Sequence, residues 1–137
     1  MEGKVTQVTI VVKDQEAALE FYTKKVGFEK KTDFSAPGNP RWVTVGPPGP
    51  GLEISLYQLG SRTGPQTPPP LRQLGNGMFV LTVSDVRKTF DEMKSRGVKF
   101  RAEKPAEQPW GTYAEFSDPD GNHFTILQPP AWAPPKS

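Results

Sequence analysis

The stretch QVTIVVKDQEAALEFYTKKVGF, residues 7–28, decides the fold. Gln7 to Val12 is a β-branched run with Thr9 among valines and an isoleucine, the pattern of a buried strand. Asp14 follows at the place of a helix N-cap, with Glu16 in the first turn where the helix dipole favours an anion. Ala18, Phe21, Tyr22 and Val26 then recur at helical spacing and give one apolar face. Gly27 stands where a left-handed residue stops a helix. The stretch reads strand, cap, amphipathic helix, stop.

Residues 77–98, GMFVLTVSDVRKTFDEMKSRGV, repeat that order. Gly77 to Val83 is a strand, Asp85 a cap, and Val86, Phe90 and Met93 lie at i, i+4 and i+7 of a helix ended by Gly97. The period is about 70 residues and occurs only twice, which points to a pseudo-symmetric domain rather than a solenoid. A ligand site between two copies of one motif is the expectation for such a domain.

Each helix is followed by extended segments. Lys30 to Ser35, Arg41 to Gly46 and Leu52 to Gln58 are separated by Pro-Gly clusters at 36–40 and 47–51. Val98 to Ala102, Thr112 to Ser117 and His123 to Gln128 are their counterparts, with Asp118-Pro119-Asp120-Gly121-Asn122 as a tight turn before the last strand. The predicted organisation is α+β, one domain over 1–129 built from two βαβββ halves, about 4–59 and 76–129. A Pro-containing linker over 60–75 joins the halves, and 130–137 forms a Pro-rich tail.

Composition narrows the function. With 137 residues, 16 prolines and 13 glycines, the chain suits one loop-rich globular domain. It contains no run of 18 apolar residues, so no membrane span is expected. Its start lacks the basic-then-apolar form of a secretory leader, and a cytoplasmic location is expected. Zero cysteines exclude disulfides, thiolate metal sites and cysteine nucleophiles. The net charge of +2 comes from interleaved signs with no basic stripe, which argues against nucleic acid as a partner. No nucleophile elbow, P-loop or dinucleotide fingerprint is present.

Two groups of residues resemble a known family. Val11-Val12-Lys13-Asp14, Ala17-Ala18, Phe21-Tyr22 and Val26-Gly27-Phe28 look like the first motif of the glyoxalase / bleomycin-resistance / extradiol-dioxygenase superfamily, the vicinal oxygen chelate proteins. Phe116-Ser117-Asp118-Pro119-Asp120-Gly121-Asn122 resembles its closing hairpin. The resemblance covers residues 4 to 129 and implies paired βαβββ units forming an open, barrel-like cavity. It also implies a homodimer in which sheets of two chains line each cavity. In metal-dependent members, His, Gln and Glu side chains on the first and last strands hold a divalent ion.

Carried over residue by residue, the family's ligand positions fall on Gln7, Met78, Thr125 and either Glu53 or Ser55. Gln7 and Glu53 are the only pair among them suited to a divalent ion, because Met78 and Thr125 are poor ligands for one. The resemblance therefore implies a member without a complete metal site, and no cofactor is expected. Gln7 is otherwise a polar residue that lines the cavity, with Ser55, Met78 and Thr125, or pairs across the strand, and Glu53 an edge-strand charge.

Glu115 and Glu53 are the candidate acid-base residues, and a solvated strand carboxylate is the plain alternative for each. His123, the only histidine, shares a face with Thr125 and is either a cavity residue or a surface residue beside the turn. Trp42, Tyr57, Trp110 and Tyr113 lie on or beside strands that would shape the concave face; aromatic walls suit flat or apolar ligands, and core packing is the other role open to them. Trp132 in the tail is a candidate cover for the cavity mouth or a partner chain.

Two functions follow. One is a metal-free protein of the bleomycin-resistance type that binds a small organic molecule. The other is a metal-dependent lyase or dioxygenase of the same superfamily using Gln7, Glu53 and His123. Catalysis is left open by the residues, as is a dimeric scaffold with a filled cavity.

Overall fold

Each half of the sequence repeat folds into a four-stranded sheet with one helix, in the order βαβββ. The computed structural model describes residues 2–38, 41–60, 72–75 and 77–131. Most of the expected linker and the tail from Trp132 lie outside the described residues. By its contacts the chain groups into two units. Residues 1–77 form one, together with the turn 118–122; residues 78–117 and 123–137 form the other.

In the first unit, β1 (Gln7–Val12) leads into α1 (Gln15–Glu20), which widens into a π-helical segment over Phe21–Val26. Strands β2 (Glu29–Phe34), β3 (Trp42–Gly46) and β4 (Glu53–Gln58) follow. The sheet order is β1-β4-β3-β2, with β1 parallel to β4 and the other pairs antiparallel. The expected helix start is present: Asp14 Oδ1 accepts from the N–H groups of Glu16 and Ala17. At the other end Gly27 takes φ 100°, and both Gly27 and Phe28 donate to the carbonyl of Tyr22. Ile10, Val12, Val43, Val45, Ile54 and Leu56 alternate along their strands and are buried with Ala18 and Val26.

The second unit contains β5 (Met78–Thr82), α2 (Val86–Ser95), β6 (Ala106–Gln108), β7 (Gly111–Ser117) and β8 (His123–Gln128). Its sheet order, β5-β8-β7-β6, repeats that of the first, again with the first and last strands of the half parallel. Asp85 Oδ1 caps α2 through the N–H of Lys88. Phe116 and Phe124 stack at 5.2 Å, Phe79 stacks on Phe124 at 5.0 Å, and Phe90 meets Phe100 at 4.3 Å, filling the layer under α2 with Val86, Met93 and Ile126. Burying each such side chain contributes about 1.5–3 kcal/mol.

One device is common to both halves. The last strand of each ends in a glutamine whose Oε1 accepts from the N–H of the residue that follows the helix cap. Gln58 takes Gln15 N at 3.0 Å, and Gln128 takes Val86 N at 2.9 Å. Each helix start thus has a further orphan donor, beyond those its cap takes, satisfied by its own sheet. In the first half Gln15 is also buried, its Nε2 donating to the carbonyls of Leu56 and Arg41 at 2.8 Å.

The expected strand over Val98–Ala102 does not form. Only Phe100 makes a bridge, to Phe116, and the N–H of Arg101 bonds to the carbonyl of Glu115. The edge strand is instead β6, where Ala106 faces Tyr113. Phe100 and Ala106 are six positions apart, whereas their partners Phe116 and Tyr113 are three apart, so the chain leaves the sheet and rejoins it. Pro105, with no N–H to donate, sits at the point of return.

Candidate ligand site on the second sheet

Pleating sorts the second sheet into two faces. Ala114, Phe116, Phe124 and Ile126 are buried in the layer under α2. The other face presents Met78 and Val80 from β5, His123 and Thr125 from β8, and Glu115 from β7, with Arg101 beside them. Register places Met78 next to His123, Val80 next to Thr125, and Thr125 next to Glu115. Together with Phe79 these residues line a cavity of ≈ 310 Å³, the lower end of the range for small-molecule sites.

Apolar side chains are unusually open here: Met78 is 81% exposed and Val80 63%. Polar groups flank them. Ser117 Oγ and His123 Nδ1 lie 2.9 Å apart across the β7–β8 pair, and Arg101 Nη1 is 3.7 Å from Glu115 Oε2. Further along the same face of β7, Tyr113 is half-buried and meets the exposed Trp110 with ring centroids 5.0 Å apart. Trp110 stands in the two-residue loop between β6 and β7. Gly111 follows it at φ 142°, and a Cβ there would meet the Gln128 carbonyl oxygen at 2.6 Å.

On the first sheet, Gln7 pairs in register with Glu53, and Ser55 with both Thr9 and Thr44. Gln7 is exposed, Glu53 and Tyr57 half-buried, and Ser55 buried. Glu53 Oε1 accepts from Thr44 Oγ1 at 2.6 Å. The expected edge-strand role of Glu53 is therefore corrected: β4 lies inside the sheet between β1 and β3, and the carboxylate has a neighbouring donor. Trp42 lies opposite Phe34 on the β2–β3 pair, and both rings are exposed.

Metal-dependent relatives would hold a divalent ion at these strands, and the donor set does not fit one. Among the described residues no group of three or more His, Asp, Glu or Cys side chains could hold a metal. Gln7 and Glu53 supply only two ligand groups, an amide oxygen and a carboxylate whose Oε1 already accepts from Thr44. Nor, among the described residues, is any helix long and apolar enough to cross a membrane.

With the paired βαβββ units in place, comparison with known proteins becomes specific. The pattern of the Glyoxalase/Bleomycin resistance protein/Dioxygenase superfamily matches residues 4–126. The chain belongs to this superfamily. A superfamily member from Sphaerobacter thermophilus DSM 20745 is 35% identical, with a TM-score of 0.76 and coverage of 93% of this chain and 98% of that one. TnmS3, an antibiotic binding protein from Streptomyces sp. CB03234, is 32% identical with a TM-score of 0.76, covering 94% and 98%. YetH of Bacillus subtilis (strain 168) is 30% identical over 128 residues, which span 93% of this chain and all of YetH.

Several features of this superfamily member were invisible in its sequence motifs. Arg101 carries no sequence signal of its own, since it lies in a segment with the composition of a plain strand. Ser117 stands in the sequence only as a strand end and a member of the closing-hairpin motif. A period-two pattern with His123 six residues after Ser117 across a turn is the signal that pairs them.

Proposed function

We propose that this protein binds a small organic molecule on the open face of its second sheet and performs no metal-dependent chemistry. One observation carries the reading: Met78 and Val80 stand exposed on the wall of a cavity that Phe79, Arg101, Glu115, His123 and Thr125 complete. Apolar patches facing water in this way mark binding surfaces. The likeness to TnmS3, an antibiotic binding protein, supports an antibiotic-like ligand. Trp110 and Tyr113 would supply aromatic surface beside the cavity, with Thr125 as a polar contact.

The reading includes a pair of chains in solution, since a partner's surface would take Met78 and Val80 further out of water. Glu115 and Glu53 have no assigned chemical step in it. Thermal-shift screening against aromatic and glycopeptide antibiotics, followed by calorimetric titration of each hit, tests the binding. A saturable 1:1 ligand per chain supports it; a panel with no hit at millimolar concentration sinks it. Light scattering after gel filtration reads the assembly, and the mass of one chain would remove the dimer.

A further inference from the structure

Resting on that reading, we infer that the ligand joins an apolar body to a zwitterionic head of the α-amino-acid kind, bound by Arg101 and Glu115 together. Register sets Val80, Thr125 and Glu115 side by side on three neighbouring strands. Strands lie about 4.8 Å apart, so the apolar end and the carboxylate are separated by about 10 Å. Arg101 flanks Glu115, its backbone N–H bonded to the Glu115 carbonyl. The cavity wall thus runs from hydrocarbon through a hydroxyl to a charge pair.

That pair is open. Its one approach is 3.7 Å, with the Arg101 side chain 66% and the Glu115 side chain 42% exposed. Neither side chain makes another hydrogen bond or ion pair among the described residues. Arginine offers five donors and a carboxylate about four acceptor sites, so most of the capacity of both groups faces the cavity unused. A ligand with only an anion would meet Glu115 at close range, and one with only a cation would meet Arg101. A neutral head leaves the loose pair as it is. A head carrying both charges replaces one long contact with two short charge-assisted hydrogen bonds, carboxylate to Arg101 and ammonium to Glu115.

Four indoles isolate the head group: L-tryptophan, tryptamine, 3-indolepropionate and 3-methylindole, each titrated calorimetrically at low salt. Tryptophan is expected to bind at least about tenfold tighter than the other three, the scale of one added charge-assisted contact. Glu115→Gln should reduce tryptophan to the level of 3-indolepropionate, and Arg101→Gln to that of tryptamine. Neither side chain is buried, and circular dichroism with the melting midpoint verifies that each variant is folded. The inference is overturned if a singly charged indole binds as tightly as tryptophan, or if the preference survives in both variants. Binding of 3-methylindole without any preference for tryptophan overturns the zwitterion and leaves the cavity standing. Absence of binding by all four indoles also overturns the zwitterion, and the antibiotic panel then judges the cavity separately.

Discussion

The phenol of Tyr22, in the π-helical segment of the first half, donates a 2.6 Å hydrogen bond to Oδ2 of Asp118, 96 positions later in the chain. Both residues are buried. Asp118 uses its oxygens fully, for Oδ2 also accepts from Asn122 Nδ2, and Oδ1 accepts from the backbone N–H groups of Asp120 and Asn122. Asn122 continues the network to the Val11 carbonyl and the Gly77 N–H. The Asp-Pro-Asp-Gly-Asn turn is thus a buried polar clasp on β1 and Tyr22, and the satisfaction of every partner makes the loss of one costly.

Replacing Tyr22 by Phe deletes one donor and leaves a buried carboxylate oxygen short of a partner. The expected loss is about 1.5–3 kcal/mol, the range for hydrogen bonds to charged groups. Urea unfolding reads it as a lower midpoint with an unchanged slope. A change below about 0.5 kcal/mol would mean that water replaces the phenol.

Alkaline unfolding gives the same contact a pH signature. Burial first, then the charge of Asp118, holds the Tyr22 phenol well above the usual tyrosine range. The folded state therefore keeps a proton that the unfolded chain releases near pH 10. The stability contributed by this group is complete below that pH and falls as pH rises above it, by about 1.4 kcal/mol per unit. Comparing wild type with Tyr22→Phe between pH 9 and 12 isolates the effect. Equal slopes for the two proteins would refute it.

Some of this structure was legible in the sequence, and for physical reasons. Asp14 and Asp85 announce helix starts, and Gly27 and Gly97 announce the stops, because capping and positive φ are local requirements met by few residue types. The partner of Tyr22 was not legible, since a side-chain hydrogen bond across 96 residues leaves no periodic trace. The π-helical widening is hidden for a related reason. Phe21, Tyr22 and Val26 are buried, as an α-helical face would also have them. Composition points to Val98–Ala102 as the edge strand, whereas the pairing with β7 falls on β6, which the two-residue loop before Gly111 turns back onto it. The candidate site was half readable. Alternation puts His123 and Thr125 on one face, but Glu115 joins them through the β7–β8 register, and Arg101 only through a backbone bond to Glu115.

Acid should act at another place. Arg41 grips Asp33 with two donors, Nε to Oδ1 at 2.8 Å and Nη2 to Oδ2 at 2.7 Å, and also bonds Glu16. These hydrogen bonds hold the Asp33 carboxyl well below the usual range and the Arg41 guanidinium above its own. Folded Asp33 binds its proton less readily than in the unfolded chain, where its pKa is about 3.9. Its contribution is present above that value and is lost as pH falls below it. Solvent and salt screening limit it to about 1 kcal/mol. Arg41→Lys removes the two-pronged geometry and should flatten the stability profile between pH 5 and 2; a profile as steep as wild type counts against this assignment.

Gly111→Ala tests the close approach of β7 to β8. A methyl group would lie 2.6 Å from the Gln128 oxygen and 2.9 Å from Leu127 Cδ1, at a φ of 142° that side chains rarely adopt. Backbone strain alone costs about 1–3 kcal/mol, and the contact adds to it. Thermal unfolding should show a midpoint lower by several degrees. The displaced Gln128 also threatens its bond to Val86 N, so amide exchange in the first turn of α2 should quicken.

Met78→Glu separates binding from folding. The side chain is 81% exposed, and substitutions at such positions change stability by no more than about 0.5 kcal/mol. Its register neighbour is His123, and the cavity it lines already contains the carboxylate of Glu115. A second carboxylate there puts charge where an apolar ligand body would rest, and removes the hydrocarbon that it would cover. The melting midpoint should therefore stay within a few degrees of wild type while affinity for the best-stabilising compound of the antibiotic panel drops at least about tenfold. Met78→Leu, similar in volume and apolar, should retain that affinity. Equal binding by the glutamate variant would remove this face from the site.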